Sequence, residues 1–415
     1  MIDLSLDREI PVLDWGPHLS DRVQRMKSSA IRELLKLTQE PDIISFAGGL
    51  PAPDFFPLRE VEEACRYVIR MEGDRALQYG PTEGYRPLRE WLATSMHKYG
   101  VPAVPENVLV TNGSQQALDL IGKVFIDPGD FVITSRPTYL GAIQAWNAYG
   151  ARYQTVDLDD DGMIVDQIEE AYERVVRESG RPPKFIYVLP NFHNPAGTTL
   201  SLERRQRLAE IATRLDLPIV EDDPYGALRY EGEDLPPVCT YVPERTIYLG
   251  TFSKTLTPGL RLGWIVCPEV LMKRFVLAKQ GADLHTGTFA QFVANDICQR
   301  GFLKPHVQRL RRVYKERRDT MLEALAEFWP EGCSWTHPHG GLFLWARVPE
   351  SIDTSEFFHK AVEARVAYVP GVNFYPNADG GFNAMRLNFS YSPPDKIVEG
   401  IRRLGIALKK ELGMV

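Results

Sequence analysis

Residues 251–264 read TFSKTLTPGLRLGW, and this stretch is the strongest feature of the sequence. It follows the apolar run at residues 246–249, whose length and β-branched or aromatic residues are typical of a buried strand. Open α/β sheets bind their ligands at the carboxyl ends of their strands. The position of Lys254 therefore favours a ligand site, although most lysines are solvated surface residues.

The residues around Lys254 suit a phosphorylated ligand. The hydroxyls of Thr251 and Ser253 and the guanidinium of Arg261 provide several donors for one phosphate. Hydroxyls and apolar neighbours also favour a lowered pKa for the Lys254 amine, and an amine of lowered pKa forms a Schiff base readily. We therefore expect Lys254 to carry a Schiff base beside a phosphate site.

Strand-like runs on both sides of this stretch predict the fold class. They are nearly continuous in apolar residues, most are followed by helical patterns, and they lie at residues 108–110, 131–134, 185–189, 218–220, 246–249 and 264–266. Such runs are typical of a mostly parallel sheet covered on both faces. The sequence thus predicts a large α/β domain over residues 61–300.

The C-terminal part shows a different pattern. A long charged helical pattern follows residue 300, and we interpret its basic cluster at residues 309–318 as a solvated helix face rather than an anion surface. Short strand-like runs at residues 340–345, 366–369 and 385–389, with an amphipathic helix at 397–412, predict a smaller α+β domain over residues 301–415. Residues 1–60 form an N-terminal segment that is expected to complete this smaller domain.

Composition narrows the class of partner. The chain has 415 residues and a net charge of −7, which gives no electrostatic reason to expect nucleic acid or an anionic membrane. No run approaches the roughly 20 apolar residues needed to cross a bilayer, and the first residues lack the basic and apolar regions of a secretion signal. Five scattered cysteines without C-x-x-C spacing indicate reduced thiols in a cytoplasmic protein, and we expect no metal site.

The acidic turn Glu-Asp-Asp-Pro-Tyr at residues 221–225 follows one of the predicted strands. An acid fixed at a strand end can hold a protonated pyridine nitrogen, and Tyr225 can bond a phenolic oxygen on the same ring. A plain acidic turn containing proline is the alternative. Residue chemistry alone leaves open whether Asp222 or Asp223 makes the pyridine contact.

Two further loops follow predicted strands. Asn194, in Asn-Pro-Ala-Gly at residues 194–197, can donate its amide to the same phenolic oxygen, although this sequence is also a common turn. Residues 111–116, Thr-Asn-Gly-Ser-Gln-Gln, open a helix, and the backbone N–H groups at Gly113, Ser114 and Gln115 suit a phosphate dianion. A simple N-cap by Ser114 is compatible with phosphate binding.

In this order, the four blocks resemble the class I/II aminotransferases of fold type I, which use pyridoxal 5′-phosphate (PLP). The resemblance covers nearly the whole chain, from residues 28–35 through Ser-Phe-Ala-Gly-Gly-Leu-Pro at 45–51 to the strand-like run with Arg386. The chain is most similar to the branch of 2-aminoadipate and kynurenine/aminoadipate aminotransferases. The resemblance implies the PLP fold type I, with a mostly parallel central sheet in a large domain and a smaller α+β domain.

The resemblance also implies cofactor roles for individual residues. Lys254 would hold PLP as a Schiff base and move a proton at the substrate, and the family pattern D-x-x-Y would assign the pyridinium to Asp222. Tyr139 would stack on the ring, and Tyr79 would reach the phosphate of a neighbouring subunit, which implies a homodimer with shared active sites. The expected catalytic group is Lys254, Asp222 and Tyr225, and the expected cofactor-binding residues are Gly113, Ser114, Gln115, Tyr139, Asn194, Asp222, Tyr225, Thr251, Ser253, Lys254, Arg261 and Tyr79.

For the substrate, the resemblance implies that Arg386 grips the α-carboxylate beside Gly49 and Asn194, a task that suits a planar, two-pronged donor. Ser29 and Arg32 lie three residues apart, hence on one face of a helix that would cover the substrate. They would meet the far end of the substrate, so we expect dual acceptance of acidic and large apolar amino acids. A solvated Arg32 without a substrate role is the alternative.

We therefore expect a ping-pong aminotransferase that passes the amino group of 2-aminoadipate, glutamate, leucine or an aromatic amino acid to a 2-oxo acid such as 2-oxoglutarate. A PLP-dependent β-lyase or synthase of the same fold stays open. A ligand-sensing regulator of this fold is disfavoured, because only a few tens of residues precede the block at 45–48 and the net charge is negative.

Overall fold

Most of the predicted apolar runs form strands of one large sheet. The computed structural model of the chain describes residues 13–26 and 42–414. Its strands are β1 Ile44–Ser45, β2 Val108–Thr111, β3 Phe131–Arg136, β4 Arg152–Asp159, β5 Gly162–Met163, β6 Ile186–Val188, β7 Ile219–Asp222, β8 Thr246–Thr251, β9 Gly263–Val266, β10 Ser334–Trp335, β11 Phe343–Arg347, β12 Val366–Ala367, β13 Val369–Pro370 and β14 Ala384–Asn388.

Helices connect and cover these strands. They are α1 Asp21–Arg25, α2 Leu58–Ala76, α3 Arg86–His97, α4 Ser114–Phe125, α5 Leu140–Asn147, α6 Ile168–Ser179, α7 Leu202–Arg214, α8 Glu269–Asp283, α9 Thr288–Gln299, α10 Leu303–Phe328, α11 Thr354–Glu363 and α12 Pro394–Glu411. In the part of the chain that the structure describes, no helix is long and apolar enough to cross a membrane.

Within the described residues the main sheet has eight strands in the order β2-β9-β8-β7-β6-β3-β4-β5. The strands β8, β7, β6, β3 and β4 are parallel to their neighbours in this series. Strand β9 runs antiparallel to β8 and β2, and β5 runs antiparallel to β4. Because parallel strands share their carboxyl edge, the loops after β3, β6, β7 and β8 leave the sheet on the same side.

Both faces of this sheet are buried, as the sequence predicts. Val132 of β3 belongs to a buried cluster with residues of α4, α5 and α8. Its neighbour Ile133 belongs to a separate cluster with residues of α6 and α7. Successive side chains of a strand point to opposite faces, so these two clusters are the two sides of one sheet. The structure therefore confirms the predicted α/β fold with a mostly parallel central sheet.

The C-terminal strands form a second, antiparallel sheet in the order β10-β11-β14-β13. Strand β1 pairs in parallel with β12, and Ile44 and Phe46 share a buried cluster with Leu344, Leu387 and Ile401. Residues near 44–46 thus pack with elements far along the chain. Arg386 lies in the middle of β14, where it pairs with Trp345 of β11 and Val369 of β13.

Three local predictions are wrong. Residues 366–369 are not one strand but the two short strands β12 and β13, which pair with different partners. Ser114 is the first residue of α4 and Gly113 is its N-cap, without a side-chain capping bond. The basic cluster is not uniformly solvated, because Arg317 and Arg318 are 4% and 5% exposed. Their guanidinium groups satisfy buried backbone carbonyls, including that of Pro338, which a solvated face does not require.

Candidate active site

A cavity of about 330 Å³ lies at the carboxyl edge of the main sheet. The loops after β3, β6, β7 and β8 meet there with β14 and with the segment that follows β1. Its lining residues are Gly49, Leu50, Ser114, Gln115, Tyr139, Leu189, Asn194, Asp222, Pro224, Tyr225, Thr251, Ser253, Lys254, Pro258, Arg261, Phe343 and Arg386. Most of the residues singled out from the sequence therefore lie around one cavity.

Lys254 follows β8 and is partly buried. Its Nζ donates to the carbonyl oxygen of Gly49 at 2.7 Å, which connects the end of the main sheet with the segment after β1. Burial, together with the positive charges of Arg386 and Arg261, lowers the pKa of Lys254 to about 8. At pH 7 about a tenth of this amine is therefore uncharged, far more than for an ordinary lysine, and the uncharged amine is the nucleophile.

Asp222, at the end of β7, faces the cavity and is 2% exposed. Its Oδ2 accepts a hydrogen bond from the Tyr187 hydroxyl at 2.8 Å. Its Oδ1 is buried and has no hydrogen-bond partner among the described residues. Burial raises the pKa of Asp222 to about 7. A buried acid with one unsatisfied oxygen fits a cationic partner inside the cavity.

Arg386 is a buried guanidinium whose hydrogen bonds go to neutral groups. Nη1 donates to Oδ1 of Asn194 at 2.9 Å, and Nη2 donates to the carbonyl oxygen of Ala47 at 2.7 Å. Phe343 and Phe374 pack their rings 4.3 and 5.1 Å from its Cζ. Its Nε is buried without a partner in the described chain. Burial lowers the pKa of Arg386 to about 10, as expected where no acid compensates the charge.

Asn194 connects Arg386 with Tyr225. The Asn194 amide donates to the Tyr225 hydroxyl at 3.2 Å while its carbonyl accepts from Arg386. This pattern fixes which end of the Asn194 amide is the donor, because a guanidinium cannot accept a hydrogen bond. Both side chains line the cavity, where the second amide hydrogen of Asn194 and the hydroxyl hydrogen of Tyr225 can donate to an oxygen of a ligand.

The predicted phosphate site is a group of donors at the start of α4. Gly113 has φ 73°, and a Cβ on it would lie 2.6 Å from Nη2 of Arg261. Glycine is therefore required for the guanidinium to approach the loop. The Thr251 hydroxyl donates to the Ser253 hydroxyl at 3.0 Å, and both line the cavity with Ser114 and Gln115. A helix N-terminus with hydroxyls and a guanidinium fits a phosphate dianion.

Some predicted residues do not join this group. Tyr79 does not line the cavity. Its side chain is 79% exposed, and its ring forms a T-shaped pair with His285, with 5.7 Å between the ring centroids. Ser29 and Arg32 lie outside the described residues. Asp222 lines the cavity and Asp223 does not, so of the two acids only Asp222 can contact a ligand there.

Sequence reasoning missed two residues that contact the charged side chains of the site, Tyr187 beside Asp222 and Phe343 beside Arg386. Tyr187 bonds Asp222, and its hydroxyl within an otherwise apolar strand was the available signal. Phe343 lies beside Arg386 and has no comparable signal, because its place in the cavity depends on how β11 pairs with β14.

Comparisons with known proteins agree with this geometry. The model of the family "Aminotransferase class I and II" matches residues 42–404. The chain is 48% identical to aromatic-amino-acid aminotransferase 1 of Thermococcus litoralis over 406 residues, 97% of each chain.

Two solved structures are similar over almost their whole length. The kynurenine aminotransferase of Pyrococcus horikoshii, in complex with PMP and kynurenine, is 46% identical with a TM-score of 0.92, over 96% of this chain and 98% of that one. LysN, the α-aminoadipate aminotransferase of Thermus thermophilus, in complex with N-(5′-phosphopyridoxyl)-L-leucine, is 41% identical with a TM-score of 0.89, over 97% and 100%. The chain therefore belongs to the class I and II aminotransferases, and it is an enzyme that uses PLP to transfer an amino group from an amino acid to a 2-oxo acid.

Proposed function

We propose that this aminotransferase accepts aromatic, large aliphatic and acidic amino acids, with 2-oxoglutarate as an acceptor. The observation that supports binding of an amino acid is the buried guanidinium of Arg386, which lines the same cavity as Lys254 and has no acidic partner among the described residues. The names of the relatives, which include an aromatic-amino-acid and an α-aminoadipate aminotransferase, support the substrate classes.

The residues of the cavity fit PLP. The unsatisfied Oδ1 of Asp222 is available for the protonated ring nitrogen, and the donors of Asn194 and Tyr225 are available for the phenolic oxygen. Gly113, Ser114, Gln115, Thr251, Ser253 and Arg261 would surround the phosphate, and Tyr139 would stack on the ring. When bound, PLP supplies an electron sink that stabilises negative charge at the substrate α-carbon.

Lys254 is proposed to move the proton. Its Nζ lies 2.7 Å from the Gly49 carbonyl oxygen. As a free amine it can take a proton from the substrate α-carbon, and as the resulting ammonium group it can give that proton up later in the reaction. The pKa near 8 that burial gives this amine suits both directions of transfer at neutral pH. Asp222 would remain ionised when a cation lies beside it, because an opposite charge lowers the pKa of a buried acid.

Arg386 is proposed to bind the α-carboxylate, the group that all substrates of the reaction share. Its Nε–H and the remaining hydrogens of Nη1 and Nη2 are available for two parallel bonds. Gly49 lies beside this position through its backbone, and a Cβ there would lie 3.2 Å from the Phe343 ring. A side chain at residue 49 would therefore crowd the Phe343 ring beside Arg386.

Ser29 and Arg32 are proposed to set the choice between acidic and apolar substrates, on the resemblance alone. Arg32→Ala should lower kcat/KM for 2-aminoadipate by a factor that corresponds to roughly 1.5–3 kcal/mol, the value of a lost hydrogen bond to a charged group. The same variant should leave kcat/KM for leucine unchanged. Steady-state kinetics with both donors measure this difference. Equal loss on both donors, or no loss on either, would contradict the specificity claim.

We further propose a homodimer in the cytoplasm, in which Tyr79 reaches the phosphate site of the neighbouring subunit. The high exposure of the Tyr79 side chain in the single chain supports this role. We also propose that residues 61–300 act as the PLP-binding domain, that residues 301–415 form the small domain, and that residues 1–60 contribute to it and supply the substrate-covering helix. The shared cluster of Ile44, Phe46 and Leu387 supports that division.

A panel of amino donors tested against 2-oxoglutarate and pyruvate tests the proposed function. We expect the cofactor spectrum to change when the donor is added alone and to return when the 2-oxo acid follows. A β-lyase or synthase would instead release product without needing the 2-oxo acid. Lys254→Ala should abolish turnover, and full activity in that variant would refute the mechanism.

A further inference from the structure

We propose that Asp223 is a positioning residue that ties together the two loops carrying Asn194 and Tyr225. This inference rests on the proposed function, because it assumes that these two side chains act on the cofactor. Asp223 itself is not among the residues that line the cavity. Its effect on the reaction would therefore be transmitted through the loops rather than through contact with the cofactor or the substrate.

Asp223 is held by three donors. Its Oδ1 accepts from Nδ2 of Asn191 at 3.0 Å and from the backbone N–H of Gly226 at 2.9 Å. Its Oδ2 accepts from the hydroxyl of Tyr248 in β8 at 3.1 Å. A carboxylate that accepts several well-placed hydrogen bonds is firmly fixed in one rotamer. Asp223 thus connects the loop after β7 with the loop after β6 and with the neighbouring strand.

Asn191 is in turn fixed by Arg205. The Arg205 side chain is 0% exposed, and its Nη2 donates to Oδ1 of Asn191 at 2.7 Å and to the carbonyl oxygen of Pro190 at 2.9 Å. Its Nε and Nη1 donate to the carbonyl oxygens of Leu200 and Pro236. Because a guanidinium only donates, the Asn191 carbonyl must face Arg205 and its amide must face Asp223. The orientation of the Asn191–Asp223 bond is therefore determined by its surroundings.

Gly226 leaves the space that this bond needs. A Cβ at residue 226 would lie 2.4 Å from Oδ2 and 2.7 Å from Oδ1 of Asp223, and 2.9 Å from Nδ2 of Asn191. Real Cβ atoms do not come this close, so any side chain at this position would push the two partners apart. The sequence and the packing at residue 226 thus both favour contact between Asn191 and Asp223.

Two bonds then fix the two loops relative to each other. On the cavity side, Asn194 donates to Tyr225 at 3.2 Å. Away from the cavity, Asn191 donates to Asp223, three and two residues earlier in the same loops. A single bond would allow the loops to pivot, whereas two bonds at different points restrict them. Small displacements of catalytic groups can reduce rates by about 100-fold. We therefore expect loss of the Asn191–Asp223 bond to slow the reaction.

The test compares variants that keep or break the hydrogen bond between Asn191 and Asp223, called the tie from here on. Asp223→Asn can keep Oδ1 toward Asn191 and Gly226 and turn its amide toward the Tyr248 hydroxyl, so it removes the charge and preserves the tie. Asp223→Ala and Asn191→Ala each break the tie. Tyr248→Phe removes another contact of Asp223 and leaves the tie intact, which makes it the matched control.

Two readouts are measured on the PLP-loaded enzyme: kcat and KM, and the pH midpoint of the cofactor's visible absorbance. Donors to the phenolic oxygen favour the deprotonated form of the bound cofactor, so weakening them raises the midpoint. Tyr225→Phe, which removes the hydroxyl, should raise the midpoint by about one to two pH units, as expected for one lost hydrogen bond to a charged group. Melting temperatures show whether each variant is folded.

We expect Asp223→Ala and Asn191→Ala each to raise the midpoint and to lower kcat by about 10- to 100-fold. The double variant should lose no more of kcat than the worse single variant, because the effects of substituting both partners of one interaction are not additive. Asp223→Asn and Tyr248→Phe should stay within about threefold of the parent enzyme. Additive losses in the double variant, or an equal loss in Asp223→Asn and Asp223→Ala, would overturn the positioning role. If Tyr225→Phe shifts the midpoint and Asp223→Ala does not, only this inference fails. If Tyr225→Phe shifts nothing, the proposed function of Tyr225 fails instead.

Discussion

Arg386→Lys tests the proposed carboxylate site, because it keeps the positive charge and removes the forked geometry. The guanidinium has five N–H donors. Two of them are used by Asn194 and Ala47, which leaves three for a substrate. An ammonium group has three donors in all, so it retains about one for the substrate once the same two partners are satisfied. The substitution therefore removes one of two parallel bonds to the α-carboxylate.

The expected loss follows from this count. One hydrogen bond to a charged group is worth about 1.5–3 kcal/mol. At 1.36 kcal/mol for each factor of ten, kcat/KM should fall roughly 10- to 150-fold. Every substrate carries the α-carboxylate, so an aromatic donor and an acidic donor should lose the same factor. This uniform loss separates Arg386 from a residue that binds the far end of the substrate.

Steady-state kinetics with phenylalanine and 2-aminoadipate as donors measure the effect. Arg402→Lys is the matched control, because Arg402 pairs with Glu399 on the surface of α12 with a side chain that is 42% exposed, and it should not change kcat/KM. A loss below about threefold, which is less than one weak hydrogen bond, or a loss confined to the acidic donor, would refute the assignment of Arg386 to the α-carboxylate.

Two pH-dependent predictions follow from burial in the cavity. Because burial lowers the pKa of Lys254 to about 8, covalent attachment of PLP to the cofactor-free protein should accelerate as pH rises and level off above about pH 8. If the rate instead keeps rising up to pH 10.5, the ordinary pKa of lysine, the Lys254 amine is not buried as described. Burial raises the pKa of Asp222 from 3.8 to about 7. Between these two pH values Asp222 keeps a proton in the folded cofactor-free protein that the unfolded chain has released, so the stability of the folded protein falls as pH rises from 3.8 to about 7. Asp222→Asn should therefore raise the melting temperature at pH 8 more than at pH 5, and an equal change at both pH values would count against a buried, unpaired Asp222.

Most of the buried parallel strands could be predicted because each contains several consecutive apolar residues. Residues 218–220 correspond to Ile219–Asp222, and residues 246–249 lie within Thr246–Thr251. The strand Arg152–Asp159 gives no such signal, because it lies near the sheet edge and several of its side chains are only partly buried. Strands of this kind depend on their neighbours more than on their own composition.

The cavity could be predicted in its chemistry but not in all of its geometry. Asp222 is the last residue of β7 and Asp223 is the first residue of the loop after it, and which of the two acids meets the cavity depends on elements that are distant in sequence. The same limit explains why Tyr187 and Phe343 were missed, since both act through neighbours that are distant in sequence. The roles proposed for Tyr79, Ser29 and Arg32, and the domain boundaries, stay predictions.

Reductive trapping of the cofactor tests the central claim, that Lys254 is the residue which carries PLP. The loaded enzyme is reduced with borohydride, digested with trypsin and analysed by mass spectrometry. Trypsin cleaves after Arg245 and Arg261, and Lys254 is the single lysine between them. We predict one phosphopyridoxyl group on an uncleaved peptide of residues 246–261, because trypsin does not cut at a modified lysine. An unmodified peptide 246–254, with the cofactor on another lysine such as Lys279, would contradict the account.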